Sequence, residues 1–407
     1  MNRIPILFVH WGEEGIRGSE RVLLDLLAKL DRERYQPFLW CNTASMGIAG
    51  HELDIPTEVS AMPILLGWNS PKFDIVGYRR LIGHGRRLIE SHGIRLVHAN
   101  SGAPNQWMVP VTRDARIPLV AHLHAIYGFR ERCTLLLHQS PVVVGCSDAV
   151  LRPLRTDRIP GQRLRMIHNG VDESRLNVGD ARGLRDRLGV RDDAVLLVGA
   201  GALIPLKGFD TIVRAVALAV RRGVEAHLAI AGDGPERAAL EELAHRLAVA
   251  DRTYFLGHIP NLGPVFRDAA DIAVVASQVE SFCLVAAEAG AMGTPTIATR
   301  VGGIPEVVTD GITGVLVPPG DVEQFAAAIV QLGASQEVRA SLGAAARDHV
   351  LVHLSTDRMT RYFESLYAEL LSHPAAAYSW SRLRFRVVPF ARFGMEVLGR
   401  RLGVSGV

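Results

Sequence analysis

ESFCLVAAEAGAMGTPTIATRVGGIPEVVTDGITGVLVPPGD, Glu280 to Asp321, is the stretch from which the chain is read. It follows an apolar strand candidate, DIAVVAS, residues 271–277, so Glu280 falls at a strand's carboxyl end and Glu288 in the helix that follows. In an open parallel sheet that edge is where ligands bind. The spacing lets Glu280 and Glu288 reach one crevice from different heights. Phe282, Cys283 and Leu284 are expected to open the helix, with backbone N–H groups that suit an anion. Two solvated glutamates on an amphipathic helix would explain a lone pair equally well. The sequel favours a site: a Gly-Thr-Pro turn, a strand TIAT, and a second glycine-rich strand end, Gly302-Gly303-Ile304-Pro305-Glu306.

With 407 residues, 48% of them apolar, the chain is long enough for two or three domains. No apolar run reaches the eighteen or so residues that span a bilayer. The N-terminus enters a strand-like segment without signal-peptide features. The four cysteines, Cys41, Cys133, Cys146 and Cys283, form no CxxC pair, so a reducing cytoplasm is expected and neither a zinc site nor a disulfide framework. Charge is uneven: residues 1–180 hold 22 Lys and Arg against 18 Asp and Glu, residues 181–372 hold 17 against 23, and residues 373–407 hold 6 against 1. Basic ends around an acidic middle suggest that the ends meet something anionic.

Along the chain, apolar strands alternate with helices. IPILFVH, residues 4–10, reads as a buried parallel strand. Gly12, Gly15 and Gly18 follow, then a helix with Ser19 as N-cap. This is a phosphate-loop shape, but GxxGxxG is neither the dinucleotide nor the Walker spacing. A strand at 95–99 ends in His98-Ala-Asn100, one at 118–123 in His124, and one at 142–145 in Cys146-Ser147-Asp148. A single such histidine belongs to a core, whereas several at one sheet edge favour a site. A helix over 75–91 carries basic residues on its outer face, and 175–190 reads as an interdomain linker. Strands at 194–199, 226–231 and 253–256 then restart the pattern, ending in Gly201–Gly208 with Lys207, in Gly232-Asp233-Gly234, and in Gly257-His258. Lys207, at the same sheet edge as both glutamates, is placed to neutralise a diphosphate. The fold class is α/β, two doubly wound units facing across a cleft.

Assembled, these residues resemble the retaining GT-B glycosyltransferases of family 4, of bacterial surface-polysaccharide type. The resemblance covers about residues 1–372, through LVHANS, IPLVAHLHA, IHNGVD, GALIPLKGFD, AGDGPER, YFLGHIP, ESFCLVAAE and GTPTIATRVGGIPEVVTDGITGVLVPPGD. It implies two Rossmann-like domains, 1–180 on the acceptor side and 181–354 binding a nucleotide sugar. A helix, 355–372, would return towards the first, followed by a basic tail, 373–407. The family's E-x7-E falls on Glu280, which would bind donor-sugar hydroxyls, and Glu288, which would accept from the ribose. Phe282, Cys283, Leu284 and Lys207 would hold the diphosphate, with Gly15 and Gly18 approaching it. His124 would stand near the donor sugar and leaving phosphate, and Gly257 and His258 by the base. The donor would be UDP- or GDP-linked and no metal is expected.

Three departures stand out. Ala202 occupies the position of a common arginine, Cys283 that of a common glycine, and Ala125 that of a common acidic residue. Losing one charge-assisted phosphate contact costs about 1.5–3 kcal/mol, which Arg17 could offset. Residues 378–407 alternate arginines with aromatic and aliphatic residues and suit an anionic membrane surface. The expectation is a cytoplasmic glycosyltransferase, peripheral on the inner face of the plasma membrane, moving a sugar to a glycan or lipid-linked acceptor. A non-catalytic nucleotide-sugar-binding subunit and a GT-B sugar-nucleotide epimerase are the alternatives. Nucleic acid is not an expected partner.

Overall fold

The computed structural model of the chain is described for residues 3–66 and 73–372, so the basic tail lies outside the described residues. The chain forms two compact units, one of Met1–His168 with the segment returning from Met359, the other of Asn169–Arg358.

Unit 1 is a seven-stranded parallel sheet. Its strands are β1 (Ile4–His10), β2 (Tyr35–Cys41), β3 (Thr57–Val59), β4 (Leu96–Asn100), β5 (Leu119–Leu123), β6 (Val142–Gly145) and β7 (Leu164–Met166). The order β3-β2-β1-β4-β5-β6-β7 reverses direction at the β1/β4 pair. There His10 stands opposite Asn100 in register. The strands are apolar without alternation because helices cover both faces of a parallel sheet. On one side Trp40 and Trp107 are fully buried in the core. On the other, the final helix, Thr356–Ser372, brings Phe363 and Tyr367 against His98 and Phe8.

Unit 2 has six parallel strands: β8 (Val195–Ala200), β9 (Ala226–Ala231), β10 (Thr253–Gly257), β11 (Ile272–Val275), β12 (Thr296–Thr299) and β13 (Gly314–Val317). The order β10-β9-β8-β11-β12-β13 reverses at β8/β11. The segment expected as a linker, 175–190, belongs to this unit. Helices Glu173–Leu176 and Leu184–Leu188 form within and beside it, and Ala181, Leu184 and Val190 join the core. Its polar sequence conceals four buried apolar anchors, Leu176 being the fourth. The chain enters and leaves unit 2 side by side: Val171 N–H donates to Leu354 O at 2.8 Å and Thr356 N–H to Val171 O at 3.1 Å. A Cβ on Gly170 would sit 2.4 Å from Thr356 Cα, so only glycine permits this approach.

Candidate functional site

In unit 2, the loops after the two central strands meet at the point where the strand order reverses. A 3-10 turn, Pro205–Lys207, follows β8, and Glu280 follows β11. Lys207 Nζ lies 2.6 Å from Glu280 Oε2, and Ser277 Oγ donates to the same oxygen at 3.3 Å. Burial disfavours the lysine's charge, but Glu280 outweighs it and holds Lys207 above its ordinary value. Backbone bonds tie the loops together: Gln278 N–H to Leu206 O at 2.9 Å, and Gly303 N–H to Glu280 O at 3.1 Å. The second glycine-rich strand end is therefore beside the first. Gly302 has φ +54°, and a Cβ there would come 1.7 Å from Glu280 O.

The helix carrying Glu288 spans Leu284–Ala291, so Phe282 and Cys283 precede it rather than open it. The reason is Cys283 itself, whose backbone is left-handed at φ +87°. This is the conformation that glycine adopts without steric cost. Phe282 is buried beneath the turn. Burial first, and Glu280 second, push the Cys283 thiol up to about 12, so it stays protonated. Glu288 Oε1 accepts from Arg175 Nη2 at 3.1 Å, with both side chains largely buried. Sequence reasoning missed Arg175 because it fell in the expected linker. Its signal is the arginine three residues after Asp172 in the turn that ends NGVD. Gly257, at φ +70°, ends the edge strand and accepts from Gly232 N–H at 2.7 Å, and His258 beyond it is exposed. These two therefore lie two strands away from Lys207 in the sheet order.

Unit 1 carries a different arrangement at its own reversal point. The first helix starts at Gly18 with Arg17 as N-cap, not Ser19, because Glu20 reaches back to Arg17 N–H at 3.2 Å. Gly15, at φ +105°, donates to Ser45 Oγ at 3.0 Å. Arg17, the expected compensating cation, pairs with Glu13 at the surface at 2.7 Å. Ala202 is exposed in unit 2's loop. Glu20 Oε1 lies 2.9 Å from His10 Nε2, Asn100 Nδ2 2.9 Å from His10 Nδ1, and His124 Nε2 2.8 Å from Asn100 Oδ1. His124 is thus placed at the sheet edge. His98 is not: it is fully buried within β4, 2.6 Å from Tyr367 Oη, and burial pushes it down to about 3. Ser147 caps the helix Asp148–Thr156 and is structural.

Beside this edge lies an open groove of about 770 Å³, lined by Asn42, Asp74, Arg80, His84 and Arg87 among others. Arg80, His84 and Arg87 follow i, i+4, i+7 spacing on the helix Ile75–His92. Arg87 Nη2 donates to His84 Nδ1 at 3.2 Å, and His84 Nε2 meets Glu58 Oε1 at 2.7 Å. Asp74 caps the helix at Gly77 N–H, and Arg80 has no carboxylate partner among the described residues. Also among the described residues, no group of three or more His, Cys, Asp or Glu could hold a metal ion, and no helix is long and apolar enough to cross a membrane.

Two doubly wound parallel units in one chain define the GT-B architecture. The model described as glycosyltransferase family 4 matches residues 16–175, and that of group 1 glycosyl transferases matches residues 180–349. The chain belongs to this family. A D-inositol 3-phosphate glycosyltransferase of Saccharomonospora viridis is 40% identical over 220 residues, 51% of each chain. An N-acetyl-alpha-D-glucosaminyl L-malate synthase of Bacillus anthracis is 31% identical over 235 residues, 58% of this chain and 61% of its own. The matches thus span about half to three fifths of these relatives' length. Among solved structures, HepE of Anabaena with UDP and glucose is similar over 90% of this chain and 99% of its own, with a TM-score of 0.77 at 22% identity.

Proposed function

We propose that the chain is a retaining glycosyltransferase that moves a sugar from a UDP- or GDP-sugar to a glycan or lipid-linked acceptor, in polysaccharide biosynthesis. The observation that carries this is the Lys207–Glu280 pair at the reversal point of unit 2, with Glu288 eight residues further along. In an open α/β sheet that point is the crevice for ligands.

In this reading Lys207 and the N-terminus of the helix Leu284–Ala291 stabilise charge gathering on the leaving diphosphate. The bond from the anomeric carbon to phosphate oxygen breaks, the acceptor oxygen attacks from the same side, and its proton passes to the departing phosphate. Glu280 binds sugar hydroxyls. Glu288, oriented by Arg175, accepts from the ribose, with Phe282, Cys283 and Leu284 at the diphosphate and Gly257 and His258 at the base. For unit 1 we propose the acceptor side, with Gly15 and Gly18 in the front loop and His124 as the histidine of the reacting centre. Arg80 and Arg87 line a groove suited to an anionic acceptor group. Support comes from relatives named for inositol 3-phosphate and for L-malate, both anions. A cytoplasmic, membrane-peripheral location through the tail 378–407 completes the proposal.

The test is thermal stabilisation by UDP-, GDP-, ADP- and TDP-sugars, for wild type and Glu288→Ala. One nucleotide class should raise the melting temperature by roughly 5 °C or more near saturation, and the variant should lose the shift. If no nucleotide moves the wild type, the reading fails in favour of a non-catalytic subunit.

A further inference from the structure

The pair that holds Glu288 in unit 2 is itself held from a second loop. Arg175 lies in the helix Glu173–Leu176, whose four residues are too few to pair their own carbonyls. The side chain of Asn261, three residues beyond His258, takes them up. Its Nδ2 lies 3.1 Å from Arg175 O, 2.8 Å from Val178 O and 3.5 Å from Leu176 O. Carbonyl oxygens only accept, so this end of the amide is its NH2 group. The other end agrees, since Asn261 Oδ1 accepts from Gly263 N–H at 3.1 Å. The approach needs glycine there: a Cβ on Gly263 would sit 2.0 Å from Leu176 O. Leu176 is fully buried, which adds a packing anchor to the polar one.

A separate set of bonds holds the rest of this segment. Arg267 donates to Asn177 O at 3.0 Å and to Gly179 O at 2.9 Å, and Asp268 accepts from Ala181 N–H at 3.0 Å. None of these bonds reaches Arg175. Glu173, at the start of the same short helix, pairs with Arg347. From Arg175 the guanidinium continues to Glu288 Oε1 at 3.1 Å, on the helix Leu284–Ala291. Both side chains are largely buried, where a lost partner is costly to replace. The loop after β10 and the helix of Glu288 are therefore linked through one backbone carbonyl and one guanidinium.

We infer that Asn261 is a positioning residue: it holds the backbone of Arg175, whose guanidinium then sets the carboxyl of Glu288 for the hydroxyls of a ribose. Loosening Asn261 costs recognition of those hydroxyls in particular, and not of the diphosphate. The positioning follows from the bonds within unit 2; the ribose rests on the reading given under Proposed function.

The experiment uses the full chain and has two arms. In crystal structures without nucleotide, Asn261→Ala should separate Arg175 from Glu288, whereas Arg267→Ala, which breaks the other set of bonds, should leave them paired. Asn261→Asp keeps the shape but sets an oxygen against the three carbonyls, and should separate them too. An intact pair in either Asn261 variant overturns the proposal, whatever the chain binds. In calorimetry, UDP and GDP are compared with their 2′,3′-dideoxy analogues. For whichever of them binds, wild type should lose roughly tenfold or more in affinity with the hydroxyls. That ratio should shrink to about threefold or less in Asn261→Ala and in Arg175→Met, and keep its wild-type value in Arg267→Ala. A general loosening of the unit lowers both affinities together and keeps the ratio, which overturns the proposal. A wild type indifferent to the hydroxyls, or one that binds neither nucleotide, overturns the ribose reading of Glu288, while the crystal structures still decide the positioning.

Discussion

The two sheets share one topology and reverse direction at equivalent places, yet build those places from opposite chemistry. In unit 2 the reversal point holds charge: Lys207 against Glu280, and Glu288 against Arg175. In unit 1 it holds a hydrogen-bonded line of two rings and an amide, His10, Asn100 and His124, with one carboxylate, Glu20, at its buried end. Topology therefore fixes where groups converge and says nothing about which groups they are. Fixed charges at partly exposed positions suit an anion, which arrives with its own charge. A line of directional hydrogen bonds suits a hydroxylated ligand, for which direction matters more than charge.

Removing charge from unit 2 tests this difference most severely. Lys207→Ala should cost roughly a hundredfold in nucleotide-sugar turnover, because a charge-assisted contact is lost and Glu280 is left without its cation. Nucleotide binding by calorimetry should fall with it, while Asn100→Ala in unit 1 should leave nucleotide affinity unchanged. Equal losses from both substitutions would break the comparison.

Acid should separate the units in the opposite direction. His98 titrates at about 3 in the folded chain against an ordinary 6.5. Below 6.5 the unfolded chain takes up a proton that the fold refuses, so stability falls as pH drops through this window. By pH 5 the loss is roughly 2 kcal/mol for His98 alone. His122 acts in the same sense. The Lys207–Glu280 contribution has the other sign: raised above its ordinary value, Lys207 contributes fully at neutral pH and loses that only as pH climbs through its folded value. Unit 2 has a lesser counterpart in His227, which is only partly desolvated. All five tryptophans lie outside Asn169–Arg358, so a urea transition followed by tryptophan fluorescence reports unit 1. Its midpoint should drop between pH 7 and pH 5, and a flat profile would mean that these histidines are charged or hydrated in the fold.

Most central strands were legible because parallel strands buried on both faces leave uninterrupted apolar runs, as in IPILFVH and AHLAIA. Lys207, Glu280 and Glu288 were legible because glycines punctuate the strand ends around them. What escaped were elements whose signal is weak or non-local. The helix Asn105–Ala115 contains Pro110, which argues against a helix until its buried neighbours Trp107 and Val111 are known. The edge strand β3 is three residues long. The helix Gln336–His353 buries only Gly343, Ala346 and Val350 among its eighteen residues, so no apolar stripe marks it. His98 was misplaced at the edge because a strand of that composition does not show where it stops. Its partner Tyr367 lies 269 residues away, and Arg175 is 113 from Glu288, distances over which no local pattern carries information.

The smallest expected effect bears on a turn where unit 2, as at Ala248, sets a side chain in the left-handed region that it otherwise gives to glycine. Cys283 holds φ +87° and ψ +72°, a left-handed conformation that costs an L-residue roughly 1–2 kcal/mol. Its buried thiol recovers part of that cost, so Cys283→Gly alone confounds two effects. Comparing Cys283→Gly with Cys283→Ala separates them, since both lose the sulfur and only glycine relieves the backbone. At an ordinary helical position glycine is less stable than alanine by about 0.5–1 kcal/mol. Here the order should invert, glycine being the more stable by about 1 kcal/mol in urea unfolding followed by circular dichroism. An uninverted order would mean that the turn before Leu284 relaxes once the sulfur is gone, and that the backbone start of this helix is set by the thiol's burial and not by the fold around it.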